Sequence, residues 1–162
     1  APTYEEGLQL VELAERAGLA YVSGRWLGGT LTNFPIISKR LEYFLSQEAK
    51  KAKGELEKYT KKEQLMIARE LEDLEKKMGG LKALKKIPQA LLIVDIEEHM
   101  TAVREAKITG VPVVAITDTN TDPTLVDYPI PSNDKSAKSV KFILDYLMVA
   151  IEEGKASVKD NA

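Results

Sequence analysis

The chain has 162 residues, 44% hydrophobic and 30% charged, with a formal net charge of −2. That length and apolar fraction suit one domain with an enclosed core, and no apolar run approaches a membrane span, so no membrane partner is expected. The absence of cysteine excludes disulfides, thiol nucleophiles and thiolate metal sites, and a single histidine, His99, excludes a multi-histidine centre within the chain.

Residues 4–17 read as an amphipathic helix, with Leu8, Val11, Leu13 and Ala14 on one broad face and Gly18 as its stop. A short extended piece, Leu19 to Val22, leads into a loop dense in Gly and Thr, Ser23 to Phe34. From residue 35 the pattern becomes a narrow apolar stripe: Leu41, Leu45, Ala49, Ala52 and Leu56 recur at steps of three or four, as on a long helix. Thr60-Lys61-Lys62-Glu63 is a capping-box pattern that opens a second helix striped by Leu65, Ala68, Leu71, Leu74 and Met78. Gly79-Gly80 is expected to end it through a left-handed cap. Residues 35–79 therefore predict an antiparallel, coiled-coil-like helical hairpin, each arm roughly 25–30 Å long at about 1.5 Å per residue.

Beyond it, strand and helix alternate. Ala90 to Val94 and Val111 to Ile116 are continuous apolar runs, and residues 97–109 between them read as a helix closed by Gly110. Tyr128 to Ile130 is a short strand, placed at a sheet edge because Pro129 cannot donate to a ladder. Residues 135–153 form the last helix, with Ser132, Asn133 or Asp134 as N-cap candidates. This alternation is the signature of a parallel sheet covered on both faces. The expected fold class is α/β: a body of residues 1–34 and 80–154, an inserted hairpin of residues 35–79, and a loose tail over residues 155–162.

Charge is unevenly placed. Residues 35–86 hold 14 Lys or Arg against 9 Asp or Glu, whereas the rest of the chain holds 9 against 16. A polyanion is best met by the first segment, although Lys-rich helices are also simply well solvated. Asp95 and Asp118 sit where ligands bind in open α/β sheets, but the chain has no G-x-G-x-x-G and no phosphate-binding P-loop, and both aspartates serve equally well as helix caps or turn residues. His99, beside Glu97, Glu98 and Arg104, reads as part of a solvated face rather than as a general base. The four methionines lie on separate helical patterns and read as packing. Gly24 to Phe34 stays open between two roles: a loop that approaches a phosphate backbone closely, or a structural turn that packs Trp26.

That stretch also carries a resemblance. Arg25 to Phe34, RWLGGTLTNF, looks like the signature of the bacterial and organellar ribosomal protein S2 family. More follows in order: Lys61-Lys62-Glu63 with Arg69-Glu70-Leu71 and Leu74-Glu75-Lys76; then Pro88, Ala90 to Asp95, Val103, Glu105-Ala106 and Gly110 to Pro112; then Ala115 to Pro123, Val126-Asp127-Tyr128, Ile130-Pro131 and Asn133-Asp134. The resemblance spans about residues 10–153. Gln89 and Lys135 depart from it, standing where the family commonly carries acidic residues.

It implies a Rossmann-like body with an inserted helical hairpin and a structural, non-enzymatic role in the small ribosomal subunit, without a cofactor. The implied partners are small-subunit rRNA and neighbouring ribosomal proteins, ribosomal protein S1 among them; the implied location is the ribosome, cytoplasmic or organellar. It also implies a preceding segment of helix and strands in family members, whose absence would leave an unpaired sheet edge. The residues expected to meet RNA are Arg25, Trp26, Thr30, Thr32 and Asn33 in the loop, and Lys39, Arg40, Lys50, Lys51, Lys53, Lys61 and Lys62 on the hairpin. The two other readings are a phosphate-ligand domain using Asp95 and Asp118, and a protein-binding module acting through the hairpin.

Overall fold

A computed structural model describes residues 4–160 of the chain. Residues 1–3, assigned above to the body, and 161–162, assigned to the tail, lie outside the described residues. Among the described residues five α-helices, α1 (Tyr4–Ala17), α2 (Phe34–Ala52), α3 (Lys61–Met78), α4 (Met100–Thr109) and α5 (Ala137–Asp160), accompany three strands, β1 (Leu91–Ile93), β2 (Val113–Thr117) and β3 (Tyr128–Pro131).

The strands form one parallel sheet in the order β1-β2-β3, with Leu91 opposite Val113 and Val114 opposite Tyr128. Parallel strands joined by helical crossovers are covered on both faces, which is why β1 and β2 read as unbroken apolar runs. Ile93, Val113 and Ala115 pack with Ala102, Val103 and Ala106 of α4 and with Leu31. Leu92 and Ile116 face the other way, against Leu13 of α1 and Val140, Leu144 and Met148 of α5. β3 carries Pro129 and Pro131 and lies at one edge, as the missing amide hydrogens require. Asp127 stitches it to β2: its carboxylate accepts the Val113 amide at 2.8 Å, and its own amide donates to the Val113 carbonyl at 3.1 Å.

Several local expectations are corrected. Leu19 to Val22, read as a short extended piece, lies outside the sheet, and the Tyr21 amide donates to the Gly80 carbonyl at 2.9 Å. α2 stops at Ala52 because Gly54 adopts a left-handed backbone (φ 71°), and Leu56 falls in a short 3-10 turn, Glu55–Lys58. Its buried face is Ile37, Leu41 and Phe44 rather than the stripe through Leu45, Ala49 and Ala52, all of which are exposed. The aromatic ring at 44, fully enclosed, pulls the buried face about a quarter turn away from Leu45. In α3 the apolar contacts likewise gather toward the C-terminal end: Leu71 and Met78 are buried, whereas Leu65 is 53% exposed. The Thr60–Glu63 capping box is present.

The last helix begins at Ala137, so none of Ser132, Asn133 and Asp134 directly precedes it. It runs on to Asp160 through residues expected to be a loose tail, and Lys155 donates to the Ala17 carbonyl at 2.6 Å.

Gly79 does not take the left-handed cap either; its φ of −56° is helical, and a 3-10 turn, Gly79–Leu81, follows. The second glycine is required for a different reason. A Cβ at residue 80 would collide with the carbonyl oxygen and ring of Tyr21, the segment that residue 80 itself hydrogen-bonds. Gly80→Ala is therefore expected to destabilise the chain by about 1–3 kcal/mol, as overpacking against backbone does, with a lowered urea midpoint as the readout. An unchanged midpoint would remove this account of the glycine.

Candidate nucleic-acid interface

The loop between α1 and α2 is organised by one carboxylate from α4. Glu105 is buried, and its Oε1 accepts the Gly29 amide at 2.7 Å and the Trp26 ring N–H at 3.2 Å. Its Oε2 accepts the Leu31 amide at 2.9 Å, the Thr32 amide at 3.2 Å and the Thr32 hydroxyl at 3.3 Å. Burial alone raises the Glu105 carboxyl, but the amides of Leu31, Gly29 and Thr32 and the Trp26 ring outweigh it and hold it below the ordinary glutamate range. Thr30, 1% exposed, donates its hydroxyl to the Leu27 carbonyl at 2.6 Å. Gly29 has a φ of 88°, a left-handed backbone that brings successive amides round to face one acceptor.

The anion held by this nest of amides is thus internal. Of the five loop residues proposed for RNA, Trp26, Thr30 and Thr32 have their hydrogen-bonding groups engaged within the fold, whereas Arg25 and Asn33 are exposed. Glu105 entered the sequence reading only as part of the family resemblance, and its role in the loop was missed. The available signal was an acidic residue set between Ala102, Val103 and Ala106 on the buried face of α4.

The basic residues of the helix pair fall in two groups. Lys50, Lys51 and Lys53 close α2, and Lys61 and Lys62 open α3, so all five gather around the turn joining the two helices. Lys39 and Arg40 lie in the first turns of α2, nearer Arg25 in the chain and away from that turn. All seven are exposed, and among the described residues none makes an ion pair. Three other lysines, Lys76, Lys77 and Lys82, are bridged. Lys76 and Lys77 bridge to Glu72 and Asp73 one turn back on α3. Lys82 bridges Glu48 at 2.9 Å and Glu75 at 2.7 Å, clamping the base of the pair over the Phe44 ring. Lys61 and Lys62 also stand at the positive end of the α3 dipole, an electrostatically unfavourable place for cations that adds to the local attraction for an anion.

At the strand ends, Asp95 accepts the Glu98 amide and Asp118 the Thr119 amide, and the His99 ring contacts the Asp95 carbonyl at 3.0 Å. These are turn and cap contacts. Among the described residues no group of three or more His, Cys, Asp or Glu side chains could hold a metal ion, and no helix is long and apolar enough to cross a membrane.

The match to known sequences follows the same framework. The sequence model of the family described as Ribosomal protein S2 matches residues 5–154, which take in the α1–α2 loop, the helix pair and the whole sheet. The chain belongs to the ribosomal protein S2 family. It is 48% identical over 145 residues to the small ribosomal subunit protein uS2 of Roseiflexus sp. (strain RS-1), covering 90% of this chain and 55% of that protein. The protein of the same name from Fusobacterium nucleatum subsp. nucleatum is 44% identical over 150 residues, 92% of this chain and 61% of the relative. That from Roseiflexus castenholzii is 47% identical over 146 residues, 90% and 56%. The chain thus spans between about half and three-fifths of the length of the curated relatives it matches. Within this family the Trp26 to Thr32 stretch acquires a structural explanation: it is the sequence that wraps Glu105.

Proposed function

We propose that the chain is a structural, non-enzymatic constituent of the small ribosomal subunit that binds small-subunit rRNA and neighbouring ribosomal proteins, ribosomal protein S1 among them, and so resides in the ribosome. Its architecture in this reading is a Rossmann-like body, residues 1–34 and 80–154, from which residues 35–79 project as an inserted antiparallel helical hairpin. The observation that carries the RNA contact is the set of exposed cations at the turn joining α2 and α3, Lys50, Lys51, Lys53, Lys61 and Lys62, none of which makes an ion pair among the described residues. Cations that neutralise phosphates release counterions, which supplies affinity without reading sequence. Arg25, Asn33, Lys39 and Arg40 form a second contact nearer the body; Trp26, Thr30 and Thr32 support it by shaping the loop. The names of the relatives, each a small ribosomal subunit protein, support the assignment.

Sucrose-gradient sedimentation of lysate tests it. The chain is expected to travel with the small subunit at low salt and to leave it at high salt, as phosphate contacts are screened. A chain that stays at the top of the gradient in low salt contradicts the reading.

A further inference from the structure

The turn joining α2 and α3 presents more than charge. Tyr59 follows the 3-10 turn Glu55–Lys58 and stands just ahead of the Thr60 cap of α3. Its backbone is fixed there: its amide donates to the Leu56 carbonyl at 3.1 Å, and the Gln64 side-chain amide donates to the Tyr59 carbonyl at 2.9 Å. Tyr59 is nevertheless 41% exposed, and Met66 on α3 is 62% exposed. The two border a shallow, largely apolar depression of about 380 Å³, whose other lining residues are Ile67, Glu63 and Glu70. Both carboxylates have partners: Glu63 accepts the Thr60 amide at 2.9 Å and its hydroxyl at 2.8 Å, and Glu70 accepts the Tyr43 hydroxyl at 3.3 Å. Lysines flank the tyrosine in the chain. Lys58, Lys61 and Lys62 are within three residues of it, and Lys58 Nζ lies 5.6 Å from the centre of its ring.

The depression and the lysines beside it suit different chemistries. A bare phosphate is repelled from a hollow bordered by two carboxylates, and it gains nothing from Met66 or Ile67. The lysines, by contrast, favour a polyanion. A chain that carries flat, uncharged aromatic bodies on an anionic backbone meets both demands at once, and single-stranded RNA is such a chain. We propose that the depression at Tyr59 receives one unpaired base of small-subunit rRNA, stacked on the tyrosine ring, while the neighbouring lysines hold the flanking phosphates. This rests on the RNA contact proposed above. It adds that the turn meets a loop, bulge or strand end rather than a continuous duplex, because bases within a duplex keep their faces stacked on one another. Met66 supplies an adaptable apolar contact to the base, and N–H groups on the base edge find acceptors in Glu63 and Glu70.

The test compares the 162-residue chain and its variants for binding to small-subunit rRNA by filter retention over a range of salt. Tyr59→Ala is expected to weaken binding roughly fivefold to a hundredfold, as loss of one stacking platform does, while leaving the slope of log affinity against log salt unchanged. Tyr59→Phe, which keeps the ring, is expected to bind as the wild type does. Met66→Gln, a second variant in the same depression, is expected to weaken binding with the slope likewise kept. Oligoadenylate of about a dozen nucleotides should compete better than a duplex RNA with the same number of phosphates. Tyr59→Ala binding as tightly as the wild type, or Tyr59→Phe losing as much as Tyr59→Ala, overturns the proposal. If only the loss of Lys50, Lys51, Lys53, Lys61 and Lys62 weakens binding, the RNA reading stands and the stacked base fails; a wild-type chain that retains no rRNA overturns both. Full rRNA affinity in Tyr59→Ala together with lost sedimentation with the small subunit gives the depression to a protein partner, and that too overturns the proposal.

Discussion

Glu105→Ala is expected to be among the most damaging single substitutions in the chain, lowering stability by about 3–5 kcal/mol in urea unfolding at pH 7. The side chain accepts from Gly29, Leu31 and Thr32 amides, the Trp26 ring and the Thr32 hydroxyl, and its removal leaves those donors facing an apolar gap beside the core. Hydrogen bonds to a charged acceptor contribute more than neutral ones, and a buried donor left unmatched costs its full desolvation. Glu105→Gln keeps the volume but turns an NH₂ toward amide donors, so a loss of about 2–3 kcal/mol is expected. The pH dependence carries a distinct signature. Because the folded carboxyl lies below its ordinary range, its stabilisation is fully present above the unfolded glutamate value and disappears as pH falls through the folded value. The wild-type chain should therefore lose stability over that acid interval, and the Gln variant should lack that component. A loss under about 1 kcal/mol for Glu105→Ala would mean that the loop is held by something else.

Replacing Lys50, Lys51, Lys53, Lys61 and Lys62 together by alanine is expected to reduce affinity for small-subunit rRNA at least about a hundredfold near 0.1 M salt. The slope of log affinity against log salt should become shallower by roughly 0.7–0.9 for every phosphate contact removed. These lysines are exposed and make no ion pair among the described residues, so far-ultraviolet circular dichroism and the melting temperature should change little. The double replacement of Lys76 and Lys77 is the control. Both are partnered along α3 by Glu72 and Asp73, and a small effect on binding is expected. Equal losses from the two sets, or a salt slope that the quintuple variant leaves unchanged, would move the RNA contact elsewhere on the molecule.

The helix pair illustrates how far local pattern reaches. Its helices, the break between them and the Thr60–Glu63 box are legible because caps and helical periodicity depend on residues three or four apart. The face of α2 that is buried was not legible. Leu41, Leu45 and Ala49 make as regular a stripe as Ile37, Leu41 and Phe44, and only the packing of Phe44 against Leu71, Met78 and Leu81 separates them. The role of Gly80 is likewise invisible locally, since its reason is Tyr21, nearly sixty residues earlier.

By itself, the sequence determined the α/β alternation, the edge position of the proline-bearing strand, the capped start of α3 and the membership that the Arg25–Phe34 signature announces. All of these rest on short-range periodicity, on the lost donor of proline, or on an ordered string of residue identities. The tertiary structure alone decided that the signature loop wraps Glu105, that Lys50, Lys51, Lys53, Lys61 and Lys62 make no ion pair among the described residues while Lys82 is bridged to Glu48 and Glu75, and that Gly80 sits against Tyr21. Each of those facts concerns which groups meet across long sequence separations, and chain topology, not local composition, sets that proximity.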